Sequence, residues 1–152
     1  MATQTQSTST TSPADPSSAF KFHVELEGLI VGMFKECNGL SLSRETKPLR
    51  EGGVNDRVHY LPESSTQGKI TLKRGITLSR DLWDWYCKGL YDNLVERINM
   101  SIILYNAKGE VLKRWNFTGA FPTKWEGPTF NSANAEVAVE TLELAHDGFT
   151  LA

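Results

Sequence analysis

Two stretches decide the fold: Ile70-Thr-Leu-Lys-Arg-Gly-Ile76, and further along Pro122-Thr-Lys-Trp-Glu-Gly-Pro128. In the first, apolar and polar residues alternate over Lys69–Lys73, the pattern of a half-buried strand, and Gly75 ends it. In the second, a strand over Thr118–Trp125 carries Pro122, which marks an edge or a bulge, and Gly127-Pro128 closes it. Both read as strand-and-turn framework, not as a place where chemistry happens. Between them lies the chain's one clear helix. Ser79 suits its N-cap, Asp81 its first turn, and Gly89 a C-terminal stop. Leu82, Trp85, Tyr86 and Leu90 form its apolar stripe.

Working outward, Phe20, Phe22, Val24 and Leu26 fall on one face of a strand, opposite Lys21, His23, Glu25 and Glu27. A second strand is expected over Gly32–Ser43, with Asn38-Gly39 as a turn or bulge. Residues 44–65 hold no sustained period. They read as a long extended loop, which either reaches a partner or is a surface connector hiding a short strand near Arg57–Leu61. Ile98, Met100, Ile102 and Leu104 define another strand face. Asn106-Ala-Lys-Gly109 then turns the chain into a strand over Glu110–Phe117. The last strand spans about Ala135–Ala145. Its alternation slips near Thr141, which predicts a bulge or burial on both faces. Strands, one helix, then more strands make a mainly β fold: two packed antiparallel sheets, as a sandwich or a small barrel, with one flanking helix.

Length and composition fit one domain, since 152 residues with 39% hydrophobic and 22% charged content are near globular averages. Residues 1–19 are dominated by Ser, Thr, Gln, Ala and Pro and read as a flexible tail on a domain over 20–152. No apolar run reaches the roughly 18 residues of a membrane span. A net charge of −2 gives no push toward nucleic acid. No secretory leader is recognisable, so Cys37 and Cys87 are expected as free thiols in a reducing compartment.

Catalytic, cofactor and metal patterns are all missing. His23, His59 and His146 are isolated from one another and have no ligand spacing. There is no nucleophile elbow, P-loop or dinucleotide fingerprint. Glu136 and Glu140 would share a strand face, but paired acids on a strand are more often an interface row than a hydrolytic pair. The four tryptophans, Trp83, Trp85, Trp115 and Trp125, suit core and subunit-seam anchors better than a stacking platform.

Several blocks in order resemble the tube proteins of contractile phage tails and extracellular contractile injection systems. They are Phe20-Lys-Phe-His-Val-Glu-Leu-Glu-Gly28, Phe34-Lys-Glu-Cys-Asn-Gly-Leu-Ser41, Leu49-Arg-Glu-Gly-Gly53, Lys69–Ile76, Trp83-Asp-Trp85, Trp115, Pro122-Thr-Lys-Trp125, Gly127-Pro128 and Glu136–His146. The likeness runs from Phe20 to Leu151. Leu61-Pro-Glu-Ser64 departs from it, because the family tends to Pro-Gly there, and Cys37-Asn38 departs before Gly-Leu.

The resemblance implies a two-sheet barrel with a flanking helix, assembled as six-membered rings that stack into a hollow tube inside a contractile sheath. Its partners would be copies of itself, sheath protein, baseplate or spike and tube-terminating proteins, and a protein or DNA payload in the lumen, with no membrane insertion and no cofactor. Assembly would take place in the cytoplasm, before the tube becomes part of a phage tail or injection particle. Leu49, Arg50, Glu51, Gly52, Gly53, Val54 and Asn55 would touch the adjacent ring. Leu82, Trp85 and Tyr86 would pack the helix on the barrel. Trp83, Trp125, Glu136 and Glu140 are candidates for a subunit seam. The competing reading is a soluble β-barrel binding module with its tryptophans as a ligand platform.

Overall fold

The computed structural model describes residues 21–27, 29–30, 34–50, 52–53, 56–92, 94–133 and 136–152. The tail over 1–19, Phe20, and the loop residues Glu51, Val54 and Asn55 lie outside the described residues. The elements in order are β1 (Lys21–Leu26), β2 (Leu29–Ile30), β3 (Glu36–Asn38), β4 (Leu42–Leu49), β5 (His59–Gln67), β6 (Ile70–Gly75), α1 (Asp81–Asp92), β7 (Ile98–Tyr105), β8 (Val111–Glu126), β9 (Val139–Ala145) and β10 (Gly148–Leu151). The fold is mainly β with one helix, as expected.

Strand pairing runs β2-β1-β7-β8-β9-β6-β3, with β10 also on β8 and β4-β5 as a separate two-stranded sheet. One half of the path holds β1, β7, β10 and the first part of β8; the other holds the last part of β8 with β9, β6 and β3. The two halves face each other over the core. Val24, Met100, Ile102 and Phe117 come from the first half, and Ile70, Leu72, Leu142 and Leu144 from the second. Every one of these inward residues is at most 2% exposed, and in β6 and β9 the period-2 pattern follows this burial, whereas β7 also buries Ser101 and Ile103 on its other face. The ladder runs from β2 to β3 without returning on itself, and these terminal strands have only two and three residues. Such short edges blunt pairing with stray strands.

Several boundaries differ from the sequence reading, each for a physical reason. The expected strand over Gly32–Ser43 is two strands, split at Gly39, where φ is +98°. The expected strands over Glu110–Phe117 and Thr118–Trp125 are one strand, β8, which passes from one half to the other with a left-handed residue at Gly119 and a register shift at Pro122/Lys124. The alternation in β9 does not slip. Glu140, Leu142 and Leu144 all point inward, and the residue that broke the apolar pattern is a buried glutamate. Gly89 does not stop α1. It lies inside the helix, where a Cβ would come within 2.9 Å of Val95 Cγ2, so its role is to let the following segment pack close. Ser79 does act at the start of α1, its Oγ accepting from Asp81 N at 3.5 Å, although the carbonyl that accepts the first helical bond, from Asp84 N at 2.8 Å, is that of Arg80.

The largest departure is residues 44–65. Instead of a loop, they form most of a long antiparallel hairpin, β4–β5, joined in register from Leu42↔Gln67 at its root to Leu49↔His59 near its tip. All seventeen of its strand residues are exposed. Its period was unreadable because neither face is buried against its own domain.

Candidate assembly surfaces

The hairpin leaves the body through a tight crossing. A Cβ on Gly39 would lie 1.9 Å from the Lys69 carbonyl oxygen, and Gly68 N donates to Ser41 O at 3.1 Å. His146 Nε2 lies 2.9 Å from the Gly68 carbonyl, with its ring edge-on to Phe117. Strands β3, β6 and the end of β9 therefore clamp both legs of the hairpin at its root. The tip carries Leu49, Arg50, Gly52 and Gly53, all exposed. Gly53 is left-handed at φ +104°, whereas Gly52 is not, and neither glycine has a neighbour within 4 Å of a built Cβ.

The second surface surrounds α1. Leu82 and Trp85 enter the core, and Tyr86 is half-buried. Trp83 stays at the margin, edge-on to Trp125 with ring centroids 4.6 Å apart. Beneath it lies a buried polar clasp. Arg74 on β6 sits directly across from Glu140 on β9, and they are 3% and 8% exposed. Arg74 Nε donates to Glu140 Oε2 at 3.2 Å, and Nη2 reaches the Ser79 carbonyl at 3.5 Å. Trp125 Nε1 donates to Glu140 Oε1 at 2.7 Å. One carboxylate thus ties β6, β8 and β9 together, and through Arg74 fixes the approach to the helix. Glu140 is an internal strut and not a free seam residue. Glu136 lies apart from it, exposed, in the segment before β9. It borders an open groove of about 510 Å³ shared with Lys73, Lys124, Glu126 and Glu143.

This groove is polar and charged, and no tryptophan lines it. Trp85 belongs to the core, Trp115 and Trp125 pack on it, and only Trp83 is substantially open. Among the described residues the tryptophans therefore present no shared platform for a ligand. No group of three or more His, Cys, Asp or Glu residues is placed to hold a metal among the described residues. Burial raises the Cys37 thiol to about 11. The Asn38 amide, followed by the Lys73 charge, holds the exposed Glu36 carboxyl below its usual range.

A β framework with a clasped helix, a charged open groove and a long naked hairpin defines a structural protein that builds by contact with other chains. The family model described as T4-like virus tail tube protein gp19 matches residues 18–150, and the chain belongs to that family. It is a structural subunit of the inner tube of a contractile injection system or phage tail. It is similar to a solved chain of the PVC extracellular contractile injection system sheath–tube complex in the extended state, with 29% identity over 91% of this chain and 93% of that one and a TM-score of 0.80. It is also similar to a chain from the anti-feeding prophage tube-terminating cap, with 29% identity, 93% of each chain covered and a TM-score of 0.81. Hcp1 from Flavobacterium johnsoniae shares the fold at 19% identity and a TM-score of 0.63, over 87% of this chain and 94% of that one. No curated protein sequence matches the chain.

Proposed function

We propose that this chain forms six-membered rings that stack into the hollow shaft of an injection particle, inside a contractile sheath and between a baseplate with its spike and a terminating cap. The observation that carries this reading is the hairpin. An isolated two-stranded ribbon is marginal in water, and this one is exposed along both strands. Its eight-residue arm reaches about 27 Å at 3.4 Å per residue. A repeating assembly would supply the cover its own domain does not. The similar chains from a sheath–tube complex, a cap and a sixfold baseplate support the same partners here. The chain itself would perform no catalysis; its activity would be the ring-to-tube equilibrium, completed in the cytoplasm before the particle is fired. A protein or DNA payload would travel in the lumen.

On this reading Leu49–Asn55, at the hairpin tip, touches the next ring, and Trp83, the Trp125 edge and Glu136 are seam candidates. Electron microscopy of the purified full chain tests the assembly. Sixfold rings and tubes are expected, and a monomer at every concentration would refute the reading. The tip is tested by Gly53→Val, because a β-branched residue in the left-handed region costs about 1–2 kcal/mol, while Gly52→Ala, at a position outside that region, serves as control. Gly53→Val should shorten tubes while the subunit still folds, its melt lowered by only the few degrees that this strain accounts for. Normal tubes from Gly53→Val would remove the tip from the interface.

A further inference from the structure

The outer half of the hairpin has two chemically different faces. Residues directly opposed in an antiparallel ladder share a face, and successive pairs alternate. Beyond the irregularity between Arg44 and Thr46, the pairs Thr46↔Pro62 and Pro48↔Tyr60 lie on one face, while Lys47↔Leu61 and Leu49↔His59 lie on the other. Within these two pairs the first face has no ionisable side chain other than the Tyr60 phenol, and Tyr60 is 66% exposed in the subunit; the next charge along that side of β4 is Arg44, nearer the root, whose Nε donates to Ser65 Oγ at 3.3 Å. The second carries an ammonium directly across from Leu61 and an imidazole across from Leu49.

The prolines also decide how the ribbon can be approached. A proline lacks the N–H that a ladder uses, so within a paired strand it sits where its nitrogen faces outward. Pro48 interrupts the outer edge of β4, and Pro62 interrupts that of β5. Both edges of the outer half are therefore poor templates for strand addition. What remains is approach by a face. Covering the Pro48–Tyr60–Pro62 face removes apolar surface from water without stripping a charge. Proline loses no rotamer entropy there, and a tyrosine anchor is typical of an interface centre. Covering the other face means desolvating Lys47 before Leu61 can be reached.

We infer that the charge-free face of the outer hairpin, centred on Tyr60 with Pro48, Pro62 and Thr46, is the surface that seats on a second copy of this chain, face-on and not by strand addition. This rests on the proposed tube assembly, in which copies of this chain are what an arm projecting about 27 Å from its own domain meets along the shaft. Lys47 and Leu61 on the other face then stay toward water, and that face meets a neighbour only at the tip, through Leu49. The proposal extends the tip contact inward along the arm and assigns it a side.

Neighbouring residues on opposite faces allow a controlled test. Tyr60→Lys and Leu61→Lys add the same charge one position apart, at sites 66% and 45% exposed in the subunit. Thr46→Lys repeats the first change with a smaller parent residue, should Tyr60→Lys disturb folding. Melting of the unassembled subunit should match wild type for all three. Tyr60→Lys and Thr46→Lys should lower the yield of sedimentable tubes by about tenfold or more, the effect of losing one buried anchor, while Leu61→Lys should assemble near the wild-type level. The assignment is overturned if Leu61→Lys alone blocks tubes, if all three block them, or if all three assemble. Failure of the wild-type chain to form tubes would instead bring down the assembly reading beneath it.

Discussion

Glu140→Gln gives the most direct test of how the framework is held. The substitution keeps the size and shape of the side chain, and a glutamine Oε1 can still accept from Trp125 Nε1, 2.7 Å away in the native protein. What it removes is the negative charge facing Arg74. The two side chains are 4% and 10% exposed, so the usual discount for solvent screening of surface pairs does not apply. A guanidinium left buried without its counter-charge is the expensive outcome. Removing one partner of a buried pair costs about 3–5 kcal/mol, far more than the net worth of the pair. For a domain of this size that corresponds to a melting temperature lower by roughly 10 °C.

Urea denaturation of the unassembled subunit, followed by tryptophan fluorescence, measures the loss. The mechanism makes a second, sharper claim. The double variant Arg74→Met with Glu140→Leu should be more stable than either single variant, because no unpaired charge remains buried. A Glu140→Gln loss below about 1 kcal/mol, or a double variant no better than the singles, would refute the claim that this pair is desolvated. Near-native stability in the double variant, combined with an altered Trp83–Trp125 environment, would separate the energetic role of the clasp from its positioning role.

Two further substitutions and one titration follow from other parts of the structure. Gly39→Ala should destabilise the subunit severely, since its Cβ would fall 1.9 Å from the Lys69 carbonyl at a φ of +98°; a thermal melt within a degree or two of wild type would contradict the tight hairpin root. Trp85→Ala should cost about 3–5 kcal/mol by emptying the site beneath α1, read in the same urea assay, and a negligible loss would mean that the helix does not depend on it. Cys37 has a folded value near 11 against an ordinary 9.0, so its thiolate fraction near pH 8 should be about a hundredfold below that of an unshifted thiol. Iodoacetamide should therefore label Cys37 in the unfolded chain far faster than in the folded one. The sign for stability follows: below pH 9 this thiol contributes no pH dependence, and between 9 and 11 the folded state holds a proton that the unfolded state has released, so stability falls as pH rises.

The parts of this fold that could be read from sequence share one property. In β1 and β6 one face meets the core and the other is more open to water, so Phe22, Val24 and Leu26, or Ile70 and Leu72, mark their own strand. The signal fails wherever burial and polarity part company. Glu140 points inward because Arg74 meets it, yet in sequence it looks like a slip in the pattern. Pro122 reads as an edge or a bulge and does sit at a register shift, but the break expected between Phe117 and Thr118 is absent, because the chain bends through the left-handed Gly119 and stays paired. Gly89 has the composition of a helix stop, but what matters there is the approach of Val95, which local sequence does not encode.

The hairpin is the extreme case, and it joins the reading of the fold to the reading of the function. A strand shows a period when its own chain buries one of its faces. β4 and β5 have both faces in water, so selection for an apolar inner face within the subunit has nothing to act on. Yet their composition is not that of an idle loop. Two prolines block the outer edges, a tyrosine and three leucines stand exposed, and the root is pinned by a glycine with no room for a side chain. Such features would destabilise or be wasted in a protein that works alone, because exposed apolar surface on a ribbon invites aggregation. They become consistent if the faces of the ribbon are selected in the assembled state. The residues that the subunit leaves uncovered are then the ones that specify how copies fit together, and charge placement at Tyr60 against Leu61 is the feature of the sequence that distinguishes the two sides.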